Sequence, residues 1–246
     1  MIKLSKRMEA IATMVTPGLT VADVGCDHAF IDIALVSGGI APAALAMDIN
    51  EGPLQRAGSN VSQAGLSDKI TLRLSDGLDR YIKGEASSLI ISGMGGPLMC
   101  DILNRYLDTI SEGKSEKIFD NTCGFKEMIL SPQSETDEFR AYISSVGLKI
   151  ADERMILDEG KFYTIIMAVP DGIRHELTEA ELLFGPVLIS RKDPVLREYL
   201  EFRINADNAV LCKLKSETET DAIRERIEDI THKYDIMSGL LAGYDK

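Results

Sequence analysis

The stretch TVADVGCDHAFIDIAL, Thr20 to Leu35, decides how the chain is read. Apolar residues from Val21 to Val24 describe a strand, Gly25 a sharp turn, and Phe30 to Leu35 the start of a helix. Such a strand–turn–helix opens a nucleotide-binding α/β domain. The version that cradles a pyrophosphate carries further glycines, so that backbone can approach the phosphates. Here a single glycine is followed by Asp27 and His28. A carboxylate at this place repels a pyrophosphate. It favours a ligand without phosphate and with positive charge, because opposite charges attract strongly in a partly dry cleft. S-adenosylmethionine, with its cationic sulfonium and amino-acid tail, meets that description better than NAD. Asp27 also reads as a helix N-cap, which is compatible with a ligand contact, and His28 reads equally as a locally packed or hydrogen-bonded side chain.

Outward from this turn, strand signals recur at VADVG, AALAMDI, ITLRLSD, SLIISG and EMILSP. Helix signals lie between them: EGPLQRAGSNVSQAGL, ending near Gly65; GPLMCDILNRYLDTI; and SETDEFRAYISSVG, opened by a Ser or Thr cap with acids in its first turn. This alternation predicts parallel strands covered on both faces. The segment LKIADERMILDEGKFYTIIMAV then reads as two strands joined at Asp158-Glu159-Gly160, a hairpin. The expected fold of residues 1–170 is therefore α/β: a doubly wound, mostly parallel seven-stranded sheet of Rossmann-like type that ends in an antiparallel hairpin.

Pro170-Asp171-Gly172 marks a boundary, and residues 171–246 read as a second, helical, coiled-coil-like domain. Val195, Tyr199, Phe202, Ala206 and Ala209 repeat at alternate spacings of four and three, as do Ile223, Ile227, Ile230, Tyr234 and Met237. Two such seams around the polar KSETETD predict an antiparallel helical hairpin.

In a doubly wound sheet, ligands bind beyond the carboxyl ends of the strands. The residues there are Gly25, Cys26, Asp27 and His28 after the first strand, Asp48, Ile49 and Asn50 after the second, and Asp76, Gly77 and Leu78 after the third. Ser92, Gly93 and Met94 follow the fourth, and Ser131-Pro132-Gln133 the fifth. All but Met94 and the fifth group are candidate cofactor-binding residues. Asp48, about twenty residues past the first turn, is placed to accept ribose hydroxyls. Asp76 is placed to meet an adenine amino group. Each also reads as an ordinary loop or turn former. Gly93, Gly95 and Gly96 strip side chains from a strand end, which admits a flat group such as a base; a tight turn into the next helix is the plainer reading.

The bulk composition is that of a soluble globular protein: 246 residues, 45% hydrophobic and 27% charged. No run approaches the ~18 apolar residues of a membrane span. The start, MIKLSKRMEAIATMV, lacks a signal-peptide core. Cys26, Cys100, Cys123 and Cys212 show no metal-ligand spacing and read as free thiols of a reducing compartment. A cytoplasmic protein without metal or membrane partner is expected, a monomer with at most weak dimerisation. The net charge of −12 argues against a surface that binds nucleic acid everywhere, but leaves local basic clusters at Lys3, Lys6 and Arg7 and at Arg191 with Lys192. These also read as plain solvated charge.

KLSKRM, ADVGCDHAF, EGPLQRA, SDGLDRYIKGEA, SGMGG, GKFYTIIMA and LLFGPVL together resemble the bacterial tRNA (adenine-22, N1) methyltransferases, nearly end to end. The resemblance implies a class I S-adenosylmethionine-dependent enzyme with a helical C-terminal domain, acting on tRNA. It carries the family's cofactor loop onto Gly25 to His28, its ribose-binding acid onto Asp48, its DGL onto Asp76-Gly77-Leu78 and its GMGG onto Gly93 to Gly96. Asp27, Gly93 and Met94 are then the residues expected at the reacting base, with Asp27 close to the transferred methyl. A basic track of Lys3, Lys6, Arg7, Arg191, Lys192 and Arg197 is expected to hold the RNA. The chain departs from the family in three places: SPQ for QPN after the fifth strand, DHAFID for DHAYLP, and a longer SEGKSEKIFDNTCGFKE segment. Three other readings stand beside this one. An NAD oxidoreductase lacks its glycine-rich turn here. A methyltransferase of another RNA, a small molecule or a protein leaves the helical hairpin without a role. A non-catalytic scaffold using that hairpin would not need a donor site.

Overall fold

A computed structural model describes residues 4–113, 116–216 and 220–244. After a short helix α1 (Lys6–Ala12) the chain runs β1 (Val21–Val24), α2 (Phe30–Ser37), β2 (Ala44–Asp48), α3 (Glu51–Gln63), β3 (Ile70–Leu74), β4 (Ser88–Met94), α4 (Gly96–Ile110), β5 (Glu127–Pro132) and α5 (Thr136–Ser145). Two long strands follow, β6 (Leu148–Asp158) and β7 (Lys161–Pro170), then α6 (Glu179–Phe184), α7 (Pro186–Ser190), α8 (Pro194–Leu214) and α9 (Asp221–Tyr244).

The seven strands form one sheet in the order β3-β2-β1-β4-β5-β7-β6. The pairs among β1 to β5 are parallel. β7 runs antiparallel to both β5 and β6, as the hairpin signal predicts. The hairpin turn is two residues, Glu159 and Gly160, with φ of 49° and 77°; two positive φ values give the turn the hand that suits twisted strands.

Alternation along the strands makes two cores, one on each sheet face. Ala22, Val24, Leu45, Met47, Leu89 and Ile91 pack with α4 and α5. Val21, Ala44, Ala46, Ile90 and Ile129 pack beneath α1, α2 and α3. β1 is buried on both faces, and Asp23 lies within it. A third cluster joins Met155 of β6 to Phe184, Leu188, Leu196, Leu200 and Met237, so the C-terminal helices rest on the β6–β7 hairpin. A buried ion pair reinforces this joint. Arg140 Nε of α5 meets Glu153 Oε1 of β6 at 2.9 Å. Arg140 Nη1 donates to the Leu182 carbonyl at 2.7 Å, and Glu153 Oε2 accepts the Val187 N–H at 3.0 Å.

Two local expectations are corrected. α5 has no Ser or Thr cap: Glu135 precedes it in the left-handed region, with φ of 47°, and makes no side-chain cap bond. In α8 the buried stripe is Leu196, Leu200, Asp207 and Leu211, while Phe202 is 58% exposed and Ala206 and Ala209 face solvent. The seam is rotated because α8 packs on β6 as well as on α9. Phe162 of β7 meets Tyr199 at 5.2 Å and Phe202 at 5.8 Å between ring centroids. In α9 the expected seam holds, with Ile230 and Met237 buried and Ile223, Ile227 and Tyr234 partly so.

Candidate functional site

The sheet order puts β1 between β2 and β4, all parallel, so their carboxyl ends meet at one edge. This is the topological switch point, where an open α/β sheet forms its crevice. Backbone bonds hold the edge together. Gly25 and Cys26 N–H both donate to the Met47 carbonyl, at 2.9 and 3.0 Å; Ser75 N–H donates to the Asp48 carbonyl at 2.9 Å; Gln133 N–H donates to the Met94 carbonyl at 2.8 Å. Gly25, Asp48, Met94 and Gln133 are thereby brought together although they are far apart in sequence.

The first turn is held in an unusual backbone path. Gly25, Asp27 and Ala29 have φ of 77°, 48° and 56°. For the two non-glycine residues this costs on the order of 1–2 kcal/mol each, a cost that folds tend to retain at ligand sites. It keeps Asp27 out of the cap position, which Ala29 takes without a side-chain bond. Asp27 is exposed instead. Its carboxylate lies 3.5 Å from His28 Nε2 and 3.8 Å from Arg56 Nη2, contacts loose enough to leave it open to a ligand. His28 stacks on Phe30 with centroids 5.2 Å apart, and its carbonyl accepts Asn60 Nδ2 at 3.0 Å.

Asp48 is buried, and its Oδ1 accepts the Asn50 N–H at 2.9 Å. That bond fixes the carboxylate at the strand end. Ile49 beside it is an exposed apolar side chain. Asp76 is exposed, and its Oδ1 is engaged by Arg105 Nη2 at 2.8 Å, while Nη1 of the same arginine holds Asp79 at 2.7 Å. Gly77, with φ of 55°, lies against α4: a Cβ there would stand 2.8 Å from Ile102. The Leu78 side chain turns into the core. Ser92 and Met94 are half-buried, Gly93 is exposed, and Gln133 Nε2 lies 3.9 Å from where a Gly93 Cβ would be.

Sequence reasoning passed over two acids beneath the turn. Asp23 of β1 and Asp32 of α2 are both buried. Burial, then repulsion by Asp32 and Asp48, pushes Asp23 well above the usual carboxylate range. Burial pushes Asp32 up to about 6. Burial and the carboxylates of Asp23, Asp32, Asp48 and Asp27 also push the Cys26 thiol up, so it is no thiolate nucleophile. A charged residue inside the apolar run VADV is the signal that could have exposed Asp23.

The basic residues are dispersed. Lys3 lies outside the described residues. Lys6 is exposed on α1, and the Arg7 guanidinium sits 5.2 Å over the Tyr163 ring. Arg191 pairs with Asp152, Arg197 Nε meets Glu201 at 2.9 Å, and Lys192 is exposed. Among the described residues, no group of three or more His, Cys, Asp or Glu side chains could hold a metal ion, and no helix is long and apolar enough to cross a membrane.

The chain is 27% identical over 247 residues to the tRNA (adenine(22)-N(1))-methyltransferase of Bacillus subtilis strain 168, an alignment covering 98% of each. The crystal structure of the B. subtilis m1A22 tRNA methyltransferase TrmK superposes with a TM-score of 0.81 at 25% identity, over 98% of this chain and 100% of that one. Sp1610 of Streptococcus pneumoniae, crystallised in complex with S-adenosyl-L-methionine, is 28% identical with a TM-score of 0.81 over 97% of this chain and 100% of its own. The family model described as a methyltransferase domain matches residues 4–166, the whole parallel sheet and most of the hairpin. This chain belongs to the methyltransferase domain family.

Proposed function

We propose that this protein transfers a methyl group from S-adenosylmethionine to N1 of an adenine in tRNA, at position 22. The observation that carries the reading is the extent of the likeness to the B. subtilis enzyme: 98% of each chain, with the C-terminal helices included. A relative sharing the sheet alone would support a methyltransferase of any substrate.

The residues at the strand ends fit the donor. The turn has the lone glycine at close approach, where a Cβ on Gly25 would meet Met94. Asp27 and Asp48 stand at the turn and act on Cys26, as do the buried Asp23 and Asp32, so the turn carries net negative potential suited to a cation. Gly25, Cys26, Asp27 and His28 would hold the methionine end, Asp48 the ribose, and Ile49, Asp76 and the backbone about Gly77 the adenine. Ser92 and Gly93 border the same crevice. When bound, S-adenosylmethionine supplies a methyl group on cationic sulphur.

Adenine N1 has its own lone pair, so the protein need not supply a strong base. Methylation leaves the base positively charged. Asp27, exposed beside the turn, accepts a hydrogen bond from the exocyclic amino group and stabilises that charge. Gly93 and Met94 border the space the base enters, with Gln133 alongside. N1 lies on the pairing edge, so the target nucleotide is extruded from its helix before reaction. Lys3, Lys6, Arg7, Arg191, Lys192 and Arg197 contact tRNA phosphates, and the helical region of residues 171–246 holds the tRNA by its shape. On an acidic chain such contacts make binding steeply salt-dependent. A cytoplasmic location accords with this substrate.

The test is nucleoside mass mapping of tRNA incubated with the protein and methyl donor. The expected result is one 1-methyladenosine, at position 22. Methylation at another position, or of no tRNA, would overturn the reading.

A further inference from the structure

We propose that Asp32 is a positioning residue of the donor site: it shares one proton with Asp23 beneath the Gly25 turn, and the pair gives up that proton when a cationic ligand occupies the turn. The proposal rests on the S-adenosylmethionine reading above and adds to it a residue and a proton that the reading does not contain.

The geometry carries it. Asp23 points into the sheet face covered by α2, two residues before Gly25. Asp32 lies in the first turn of α2, just after the bend. The two residues flank the donor turn in sequence, and both side chains are buried, at 3% and 0% exposure. Both Asp32 oxygens are buried, and no N–H of another residue reaches either of them. The two carboxyl groups are nonetheless within hydrogen-bonding reach of each other. Two carboxylates cannot form that bond, because neither has a hydrogen to give. A carboxylic acid and a carboxylate can. One proton between them therefore gives one Asp32 oxygen a partner and relieves the repulsion of like charges at close range.

The surroundings reinforce this. Asp48 of β2 faces Asp23 and raises it further. On the turn itself stand the Cys26 thiol and Asp27. Among the described residues, no cation acts on either buried carboxyl; the Arg56 guanidinium lies against Asp27. The pair thus carries a single negative charge and lacks a counter-ion.

A cation arriving at the turn supplies that counter-ion. It favours the doubly ionised pair, so the shared O–H bond breaks and the proton passes to solvent. The charge of the pair changes from −1 to −2 as the ligand brings positive charge.

The experiment is calorimetric titration of the full chain with S-adenosylmethionine, in buffers of different ionisation heat at pH values from about 6 to 8. The wild type is expected to release a substantial fraction of a proton, with affinity rising towards tenfold per pH unit as that fraction approaches one. Asp32→Asn keeps the volume and donates an amide N–H to Asp23. It is expected to bind with little proton release and a flat pH profile. A ligand-independent measurement accompanies it: the infrared carbonyl stretch of a buried carboxylic acid, present in the wild type and lost in Asp32→Asn. Donor binding without proton release in the wild type would overturn the proposal and leave the donor reading intact. Release undiminished in Asp32→Asn would assign the proton to another group and also overturn it. No donor binding at all would overturn the donor reading and this inference with it, while absence of the infrared band would refute the shared proton alone.

Discussion

The Met94 side chain lies over Gly25: a Cβ added to that glycine would run into Met94 Cε. Strand β4 thus covers the turn after β1, and the glycine is required both by its φ of 77° and by this contact. In Gly25→Ala the left-handed backbone costs about 1 kcal/mol. Met94 must also swing, since its methyl is the mobile end of the side chain. The expected outcome is a fall of a few degrees in melting temperature with a much larger loss of S-adenosylmethionine affinity, measured by calorimetry. Unchanged affinity would remove Gly25 from the donor site.

Asp27 is expected to act on the reacting base rather than on the fold. Its side chain is exposed, with His28 Nε2 3.5 Å and Arg56 Nη2 3.8 Å away. Asp27→Ala should lower single-turnover methylation on the order of 10²-fold, the range for one lost electrostatic contact, with melting temperature nearly unchanged and donor affinity only modestly weakened. Equal turnover in the variant would remove Asp27 from the chemistry.

The Arg140–Glu153 pair is expected to govern stability and the seating of the C-terminal helices. Glu153→Ala strands the Arg140 charge, and breaking a buried pair from one side costs about 3–5 kcal/mol. Gly185→Ala should damage the same joint, because a Cβ there would lie 2.5 Å from Glu153 Oε2 and φ is 90°. Denaturant unfolding measures both. Methylation of tRNA should fall further than donor binding, since β4, β5 and β7 stand between β1, which carries the donor turn, and β6 in the sheet.

Asp32→Asn is expected to stabilise the protein at neutral pH. The folded pair keeps a proton that unfolded aspartates, titrating near 4, have released, because burial raises Asp32 to about 6 and Asp23 further. Stability of the wild type therefore declines as pH rises from about 4 through 6 and beyond. The variant removes the Asp32 part of that decline. Its advantage should be absent near pH 4 and on the order of 1–3 kcal/mol at pH 8, measured as the difference in unfolding free energy. A pH-independent difference would show that the two carboxyls do not share a proton.

By itself the sequence determined most of the elements and their kind, though not α1, α6 or α7. Period-two apolar runs, periodic helices, the lone-glycine turn and the Asp158–Lys161 hairpin are local patterns, because strand and helix periodicity is imposed by backbone geometry within a few residues. They were enough to place Gly25, Asp48 and Gly93 at one sheet edge. Only the tertiary structure decided which distant groups those residues meet. Arg105 of α4 takes Asp76, Asp32 of α2 pairs with Asp23 of β1, and packing on β6 and α9 sets the inward stripe of α8. Such contacts depend on how separate elements pack, and the energy of a buried charge depends on its neighbours across that packing. Neither is written in the spacing of residues along one strand or helix.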